Sequence, residues 1–571
     1  MPITLPKPSW LPRLRRRAEE TLDQPFARLA RHFLKRLMSG ETADTEFDLG
    51  IGAVLGLLAA PGAFQSLLLL DKYSSLLAWI RRRPQADIFI TSAPDKYLFL
   101  SLAMAITGIV TVLKWDRILP DAQDYLNLAP LPMRRRTILL ANAAAIAMAV
   151  VVFAVDVNAA SMVCLPLFVT ASANAGMAVF ANFASVHAFC LLLASLFTFC
   201  CVFAVFGMLA AVLPREIFRA WSAWLRGAVL VAFIMLMLSA FAGPAAIQKM
   251  TGMGWVPSFW FLGLYQDMQN RATPALARMA QRAINGSGVA FAAMIVSYAL
   301  SYRRRFAGIL ESGRRPSAQR LFAGVLALLD ALAYRAAGFH RASYRFVVRA
   351  LLRNEAHRLC LAVSLGLGWL LALESGSPEE GGLIAAYLLI LGLRVAFALP
   401  AAVPANWIFR SVLDTRATET HAVARHVMLS FLGPCVAAPA VAWEAWRAGL
   451  RAGALDGLYV LALSLCLIEI LLAGYRKIPL TCPMPGFRDN LPLMCLVQFL
   501  GFEVFTSGGA ALERWILADP PRFLLVPAAM VAAWYWSRKR LKDALEAGEL
   551  ETGLLFESAP APAIERLHLS E

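Results

Sequence analysis

The chain has 571 residues, of which 59% are hydrophobic and 16% charged, with a formal net charge of +16 and a mean hydropathy of +0.60. A soluble protein carries about 25% charged and about 45–50% apolar residues, so the composition excludes a string of water-soluble domains and points to a polytopic membrane protein. The arginines sit beside hydrophobic runs, where the positive-inside bias concentrates them, so membrane topology accounts for the basic balance and nucleic acid is not an expected partner.

The N-terminus, MPITLPKPSWLPRLRRR, is basic but lacks the adjacent apolar stretch of a cleavable signal, and reads as a retained cytoplasmic arm. Within residues 18–46, Phe26, Leu29, Phe33, Leu34 and Leu37 alternate with Arg28, Arg31, Lys35 and Arg36. That spacing predicts an amphipathic helix lying on the inner leaflet, so residues 1–47 form a basic cytoplasmic arm with an interfacial helix.

Hydrophobic runs at about 48–70, 97–114, 137–157, 186–213, 221–242 and 286–301 then predict a first set of spans. A second set follows at about 359–374, 382–402, 426–445, 456–474, 492–508 and 522–537. The predicted fold is an all-α, polytopic transmembrane helical bundle of about 12 spans in two six-helix halves. The halves are 48–301 and 359–537, joined by an Arg-rich cytoplasmic linker at 302–358 and closed by a cytoplasmic tail at 538–571. Each half opens on a basic amphipathic stretch, FARLARHFLKRL in the first and YRFVVRALLRNEAHR in the second. The linker holds its own apolar stretch, Leu321–Tyr334, too short to span and carrying Asp330, which is expected to lie along the membrane.

With the N-terminus inside, this count places segments 114–136, 403–425 and 475–491 and both termini in the cytoplasm, and the acidic ESGSPEEGG stretch outside. Arg81, Arg82 and Arg83 fall on the outer side. Either the first span is re-entrant or broken at Pro61-Gly62, or these arginines snorkel to the headgroups. The expected location is the cytoplasmic (inner) membrane of a bacterium.

Between the second and third spans, KWDRILPDAQDYLNLAPLPMRRR (Lys114–Arg136) is polar and punctuated by Pro120, Pro130 and Pro132. Prolines and mixed-sign charges there predict either a shaped surface suited to another protein or an ordinary solvated loop. The stretch MGWVPSFWFLGLYQDM (253–268) carries Trp255, Phe259, Trp260, Phe261 and Tyr265 around Pro257, and reads as an interfacial helix cap or a re-entrant element. Among the few charges within apolar runs, Arg394 and Glu469 lie deepest. Either they pair across two spans or they snorkel at helix ends. The nine cysteines fall mostly in apolar runs without a CxxC pair, and the seven histidines form no HExxH pattern, so neither a metal site nor a disulfide framework is predicted.

The Lys114–Arg136 segment resembles the loop after the second span in a family of bacterial ABC-2-type permease-like membrane proteins. The matching residues are Trp115, Asp116, Pro120, Asp121, Asp124, Tyr125, Leu131 and Pro132, with PANWIFR (Pro404–Arg410), RNEAHR (Arg353–Arg358) and RKIPLTCPMPG (Arg476–Gly486) further along. The resemblance implies the membrane subunit of an ABC-type exporter, moving an unidentified substrate with a separate ATPase subunit as partner. The implied coupling surface comprises Trp115, Asp116, Asp121, Asp124, Tyr125 and Pro132, with Asn406, Trp407 and Arg410 as its counterpart in the second half.

The chain has no GxxxxGK[ST] motif and no Gly-Lys dipeptide, so a Walker A loop is absent and any ATP chemistry is borrowed. No catalytic motif or cofactor site is predicted; the outer segment 243–285 has Asp267 as its single acid, where a membrane glycosyltransferase would need paired carboxylates. A secondary transporter is the alternative, but the loop after the second span lacks the GxxxDRxGRR pattern of major facilitator proteins. A non-transporting scaffold or assembly protein is a further alternative.

Overall fold

The computed structural model describes residues 25–38, 59–69, 72–73, 88–118, 128, 134–241, 254–310, 324, 327, 331, 338–401, 407–473, 475, 477–482 and 491–546. Most of these are helical, and no strand occurs among them. Among the described residues eight helices are long and apolar enough to cross a membrane, so the protein is a multi-pass helical membrane protein. Of the twelve predicted spans, the run at 48–70 is described only as the short apolar helix Ala59–Leu69.

The chain divides into two compact units. Unit 1 comprises residues 1–218, 232–315 and 564–571, and unit 2 comprises 219–231 and 316–563.

In unit 1, the amphipathic helix α1 (Pro25–Met38) buries Leu29, Phe33 and Leu37 and leaves Arg31 and Lys35 exposed, as its residue spacing dictates. After α2 (Ala59–Leu69) come α3 (Ile88–Thr91) and α4 (Ala93–Leu113), where Pro94 sits in the first turn and Asp95 lies at the positive end of the helix dipole. The short α5 (Trp115–Ile118) follows one residue later.

Helices α6 (Arg135–Ser172) and α7 (Met177–Val212) are far longer than the runs at 137–157 and 186–213 that predict them. Asn158 and Pro166 lower the hydropathy beyond residue 157, yet neither ends the helix. Asn158 Nδ2 donates to Ala154 O at 2.8 Å, and Thr170 Oγ1 donates to the Pro166 carbonyl at 2.7 Å, so these polar groups are satisfied within the helix itself. The turn between them places Asn174 at φ +52°, a conformation Asn tolerates better than most residues. At 38 residues α6 measures about 57 Å, well beyond the about 30 Å of bilayer hydrocarbon.

Helix α8 (Arg215–Ala240) contributes Arg219–Val231 to unit 2 and its C-terminal part to unit 1. Unit 1 is completed by α9 (Pro257–Met268), which packs on α10 (Pro274–Leu310) and on α4. The aromatic stretch expected at an interface is therefore largely core: Phe259, Phe261 and Tyr265 are buried, while Trp255 is exposed. The α9–α10 approach needs Gly263, where a Cβ would come within 2.5 Å of the Leu276 carbonyl oxygen.

In unit 2, α11 (Gly338–Arg353) leads into the hairpin of α12 (Glu355–Ser375) and α13 (Pro378–Ala396), whose turn uses Gly376 at φ +67°. Asn354 caps α12, its side chain accepting from the Ala356 N–H at 3.0 Å. The buried core gathers Leu389, Ile390, Leu393, Val427, Leu432, Val460 and Ile468. Helix α14 (Trp407–Leu432) passes through a π turn at Gly433–Ala437 into α15 (Ala438–Ala448), and α16 (Leu450–Leu471) returns against α15. Pro434, which has no N–H to give to a regular ladder, accounts for the π turn. Helix α17 (Leu491–Glu503) continues through a second π turn, Val504–Gly508, into α18 (Gly509–Leu517), and α19 (Leu525–Glu546) packs on α16.

Candidate functional site

The residues implied as a coupling surface separate into those the structure places and those it does not. Asp121, Asp124, Tyr125, Pro132 and Asn406 lie outside the described residues. Trp407 and Arg410 belong to the first turn of α14. Asp116 is exposed on α5. Trp115 is the exception: it is 1% exposed, with its ring centroid 5.6 Å from Phe203 and 5.3 Å from Phe206 of α7. The expectation that Trp115 presents itself to a partner is thus corrected, because a large aromatic ring next to two phenylalanines on the neighbouring helix gains more from burial than from exposure. Trp115 anchors the short helix instead. Arg36 Nη2 donates to Arg117 O at 2.7 Å, and Asn142 Nδ2 donates to Ile118 O at 3.2 Å, so α1 and α6 hold the same helix from two further sides.

Two clusters of buried charge lie inside the units. In unit 2, Glu469 of α16 is 4% exposed and accepts from Arg425 Nη1 at 2.9 Å. His421 Nε2 lies 3.5 Å from the other carboxylate oxygen and 3.1 Å from Ser537 Oγ of α19. His421 and Arg425 are one helical turn apart on α14, which is how both reach one acid. A second histidine, His426, contacts His340 of α11 at 3.0 Å and stacks on Tyr344 at 4.6 Å. Burial pushes the His340 imidazole below its ordinary pKa, with Glu419 acting in the opposite direction and Arg425 in the same one.

The pairing of Glu469 with Arg394 is not observed. Arg394 Nε donates to Leu471 O at 3.2 Å, and its guanidinium lies 5.1 Å from the Tyr475 ring centre. Helix rotation decides this. Depth within an apolar run does not tell which face of α13 or α16 a charge occupies, and the two charges occupy different neighbourhoods.

In unit 1, Lys96 of α4 is fully buried. Its amine donates to Phe89 O and to Gln269 Oε1, both at 2.8 Å, and lies 4.7 Å from the Tyr265 ring centre and 5.1 Å from that of Phe183. His187 of α7, also fully buried, has its ring 5.6 Å from Tyr265. Next to Lys96, Asp95 accepts from Tyr73 Oη at 2.8 Å and from the Lys72 amine. Burial raises the Tyr265 and Tyr73 pKa values well above the ordinary phenol, so both are neutral hydroxyls. Sequence reasoning passes over this cluster because Asp95-Lys96 looks like the wet edge of a span; the signal that could reveal it is the aromatic density at 255–265.

A third polar group sits in unit 2, where Asp456 of α16 and Glu513 of α18 are buried and face one another. Among the described residues no group of three or more His, Cys, Asp and Glu is arranged to hold a metal ion, and the cysteines are free thiols. No family model, curated protein or solved structure matches the chain.

Proposed function

We propose that this chain is the membrane subunit of an ABC-type exporter, which moves a hydrophobic substrate using ATP hydrolysed by a separate subunit. The observation that carries a transport role is charge buried within both helical units: Lys96 in the first, and Glu469 with Arg425 and His421 in the second. Lys96 is the fourth residue of α4 and Glu469 the third from the end of α16, and ionisable groups turned into the interior of a membrane bundle mark substrate and ion pathways. The ABC assignment rests on the resemblance of Lys114–Arg136, together with a chain that has no Walker A loop of its own.

In this reading the chain makes about 12 crossings of a bacterial inner membrane with both termini in the cytoplasm. The eight long apolar helices are joined by α13, α17 with α18, α19 and a crossing that includes α2. Segment Lys114–Arg136 and the start of α14 then face the cytoplasm, where Asp116, Asp121, Asp124, Asn406 and Arg410 meet the ATPase. Affinity purification of the full chain in mild detergent tests the reading: an ATPase subunit is expected to co-purify, and Asp121→Ala with Asp124→Ala is expected to weaken that association without changing membrane insertion. Unchanged association in the double variant removes the coupling surface.

An ion-gradient-driven transporter is the second reading, favoured by the buried Asp456–Glu513 carboxyl pair, since paired acids in a membrane bundle suit proton relays. It requires the chain to purify alone and to move solute down an imposed proton gradient in proteoliposomes.

A further inference from the structure

Unit 1 contains an apolar, partly open crevice walled by α1, α4, α6 and α7, with a cavity volume of about 50 Å³. That is more than the about 10–15 Å³ a single water needs, and it describes a narrow, partly open groove rather than an enclosed pocket. Val110, Ala149, Val150 and Phe153 line it, Leu37 of α1 closes one side, and Lys114 is the charged residue on its wall. Even the hydroxyl of Thr111 is turned back into its own helix, donating to Thr107 O at 2.7 Å, which leaves that wall apolar.

We infer that this crevice holds one acyl chain of an anionic phospholipid, with the headgroup at Lys114 and the basic face of α1. Length supports the chain: along α6 the crevice runs from Ile146 to Val157, about 16 Å of helix, close to the about 15 Å of hydrocarbon in one leaflet. Charge supports the headgroup. Helix α1, PFARLARHFLKRLM, has four Arg or Lys side chains and no acid, and exposes Arg31 and Lys35 two turns or less from Leu37. Its buried face fixes it beside α6, and the Arg36–Arg117 hydrogen bond ties it to the helix that follows Lys114. Asp116, exposed on that helix, offsets part of the positive charge but leaves it in excess. In this arrangement α1 is one fixed wall of a lipid site, a role distinct from the transport reading and independent of it.

Photolabelling of the full chain in vesicles tests the inference. Trace phosphatidylglycerol or phosphatidylcholine with a diazirine on one acyl chain is added to phosphatidylethanolamine vesicles, and labelled peptides are located by mass spectrometry. Labelling is expected within 107–118 and 146–157, and phosphatidylglycerol is expected to exceed phosphatidylcholine about fivefold, the preference one basic residue confers. Val150→Phe fills the crevice and is expected to abolish labelling of these peptides while leaving that of α10 unchanged; Val152→Phe, on the exposed side of α6, is the folding control. Should Val150→Phe fail to fold, Lys114→Glu serves, and is expected to remove the phosphatidylglycerol preference. Labelling that is undiminished in Val150→Phe, or equal for the two headgroups in the wild type, overturns the inference.

Discussion

Glu469 is the residue whose environment makes the sharpest statement about unit 2, and double-mutant cycles read it directly. With Arg425 Nη1 at 2.9 Å, an effective dielectric of about 20 gives an attraction of roughly 6 kcal/mol before desolvation. The side chain of Arg425 is 29% exposed, so solvent screening and its own rehydration reduce the recoverable part to about 2–3 kcal/mol. The expected outcome is that Glu469→Gln and Arg425→Gln each lower stability, and that their combination costs about 2–3 kcal/mol less than the sum. In thermal unfolding of the purified 571-residue protein in one detergent, that coupling amounts to about 2–3 °C. The same cycle with Arg394→Gln is expected to be additive within about 0.5 kcal/mol, because Arg394 is engaged with the Leu471 carbonyl and the Tyr475 ring. Additivity of Glu469 with Arg425, or strong coupling with Arg394, refutes the arrangement.

Lys477 is fully buried and its amine donates to the Cys482 carbonyl. Burial, with Arg394 acting the same way and Cys482 against it, lowers its pKa from 10.5 to about 8. Between pH 8 and 10.5 the unfolded chain keeps a proton that the folded chain has released, so stability rises with pH across that window, by about 3 kcal/mol in total. Lys477→Met is expected to flatten this rise in unfolding scans from pH 7.5 to 10.5, and parallel profiles would refute the burial of a cationic amine. Gly263→Ala forces a Cβ against the Leu276 carbonyl and the Met279 side chain and is expected to cost about 1–3 kcal/mol, visible as a lower unfolding midpoint. Trp115→Ala is expected to cost about 3–5 kcal/mol, whereas Asp116→Ala, at an exposed position, stays within the about 1 kcal/mol of a surface ion pair; the reverse ranking would put Trp115 back on the surface.

Helix positions were legible in the sequence to the extent that hydropathy carries them. The runs at 97–114, 221–242 and 456–474 correspond to α4, α8 and α16, and the 3.6-residue spacing of Phe33, Leu37, Arg31 and Lys35 reads directly as α1. Helix ends were less legible where polar residues satisfy themselves locally: Asn158 and Thr170 look like span boundaries but hydrogen-bond within α6. The clusters were illegible for a different reason. Whether Glu469 meets Arg394 or Arg425 depends on the rotation of α13, α14 and α16 about their axes, which a uniformly apolar run leaves undetermined. Lys96 and His187 are joined by tertiary packing of α4, α7 and α9, with no short-range pattern to announce it.

The transport role itself is tested most directly by purifying the full chain from its own cells in mild detergent and measuring ATP hydrolysis together with the subunit composition. A Walker A-containing subunit in near-stoichiometric amount, with ATPase activity lost when that subunit is stripped away, is the result expected of an exporter that borrows its ATP chemistry. A chain that purifies alone, hydrolyses no ATP in the fraction, and accumulates solute in proteoliposomes under a proton gradient would contradict it.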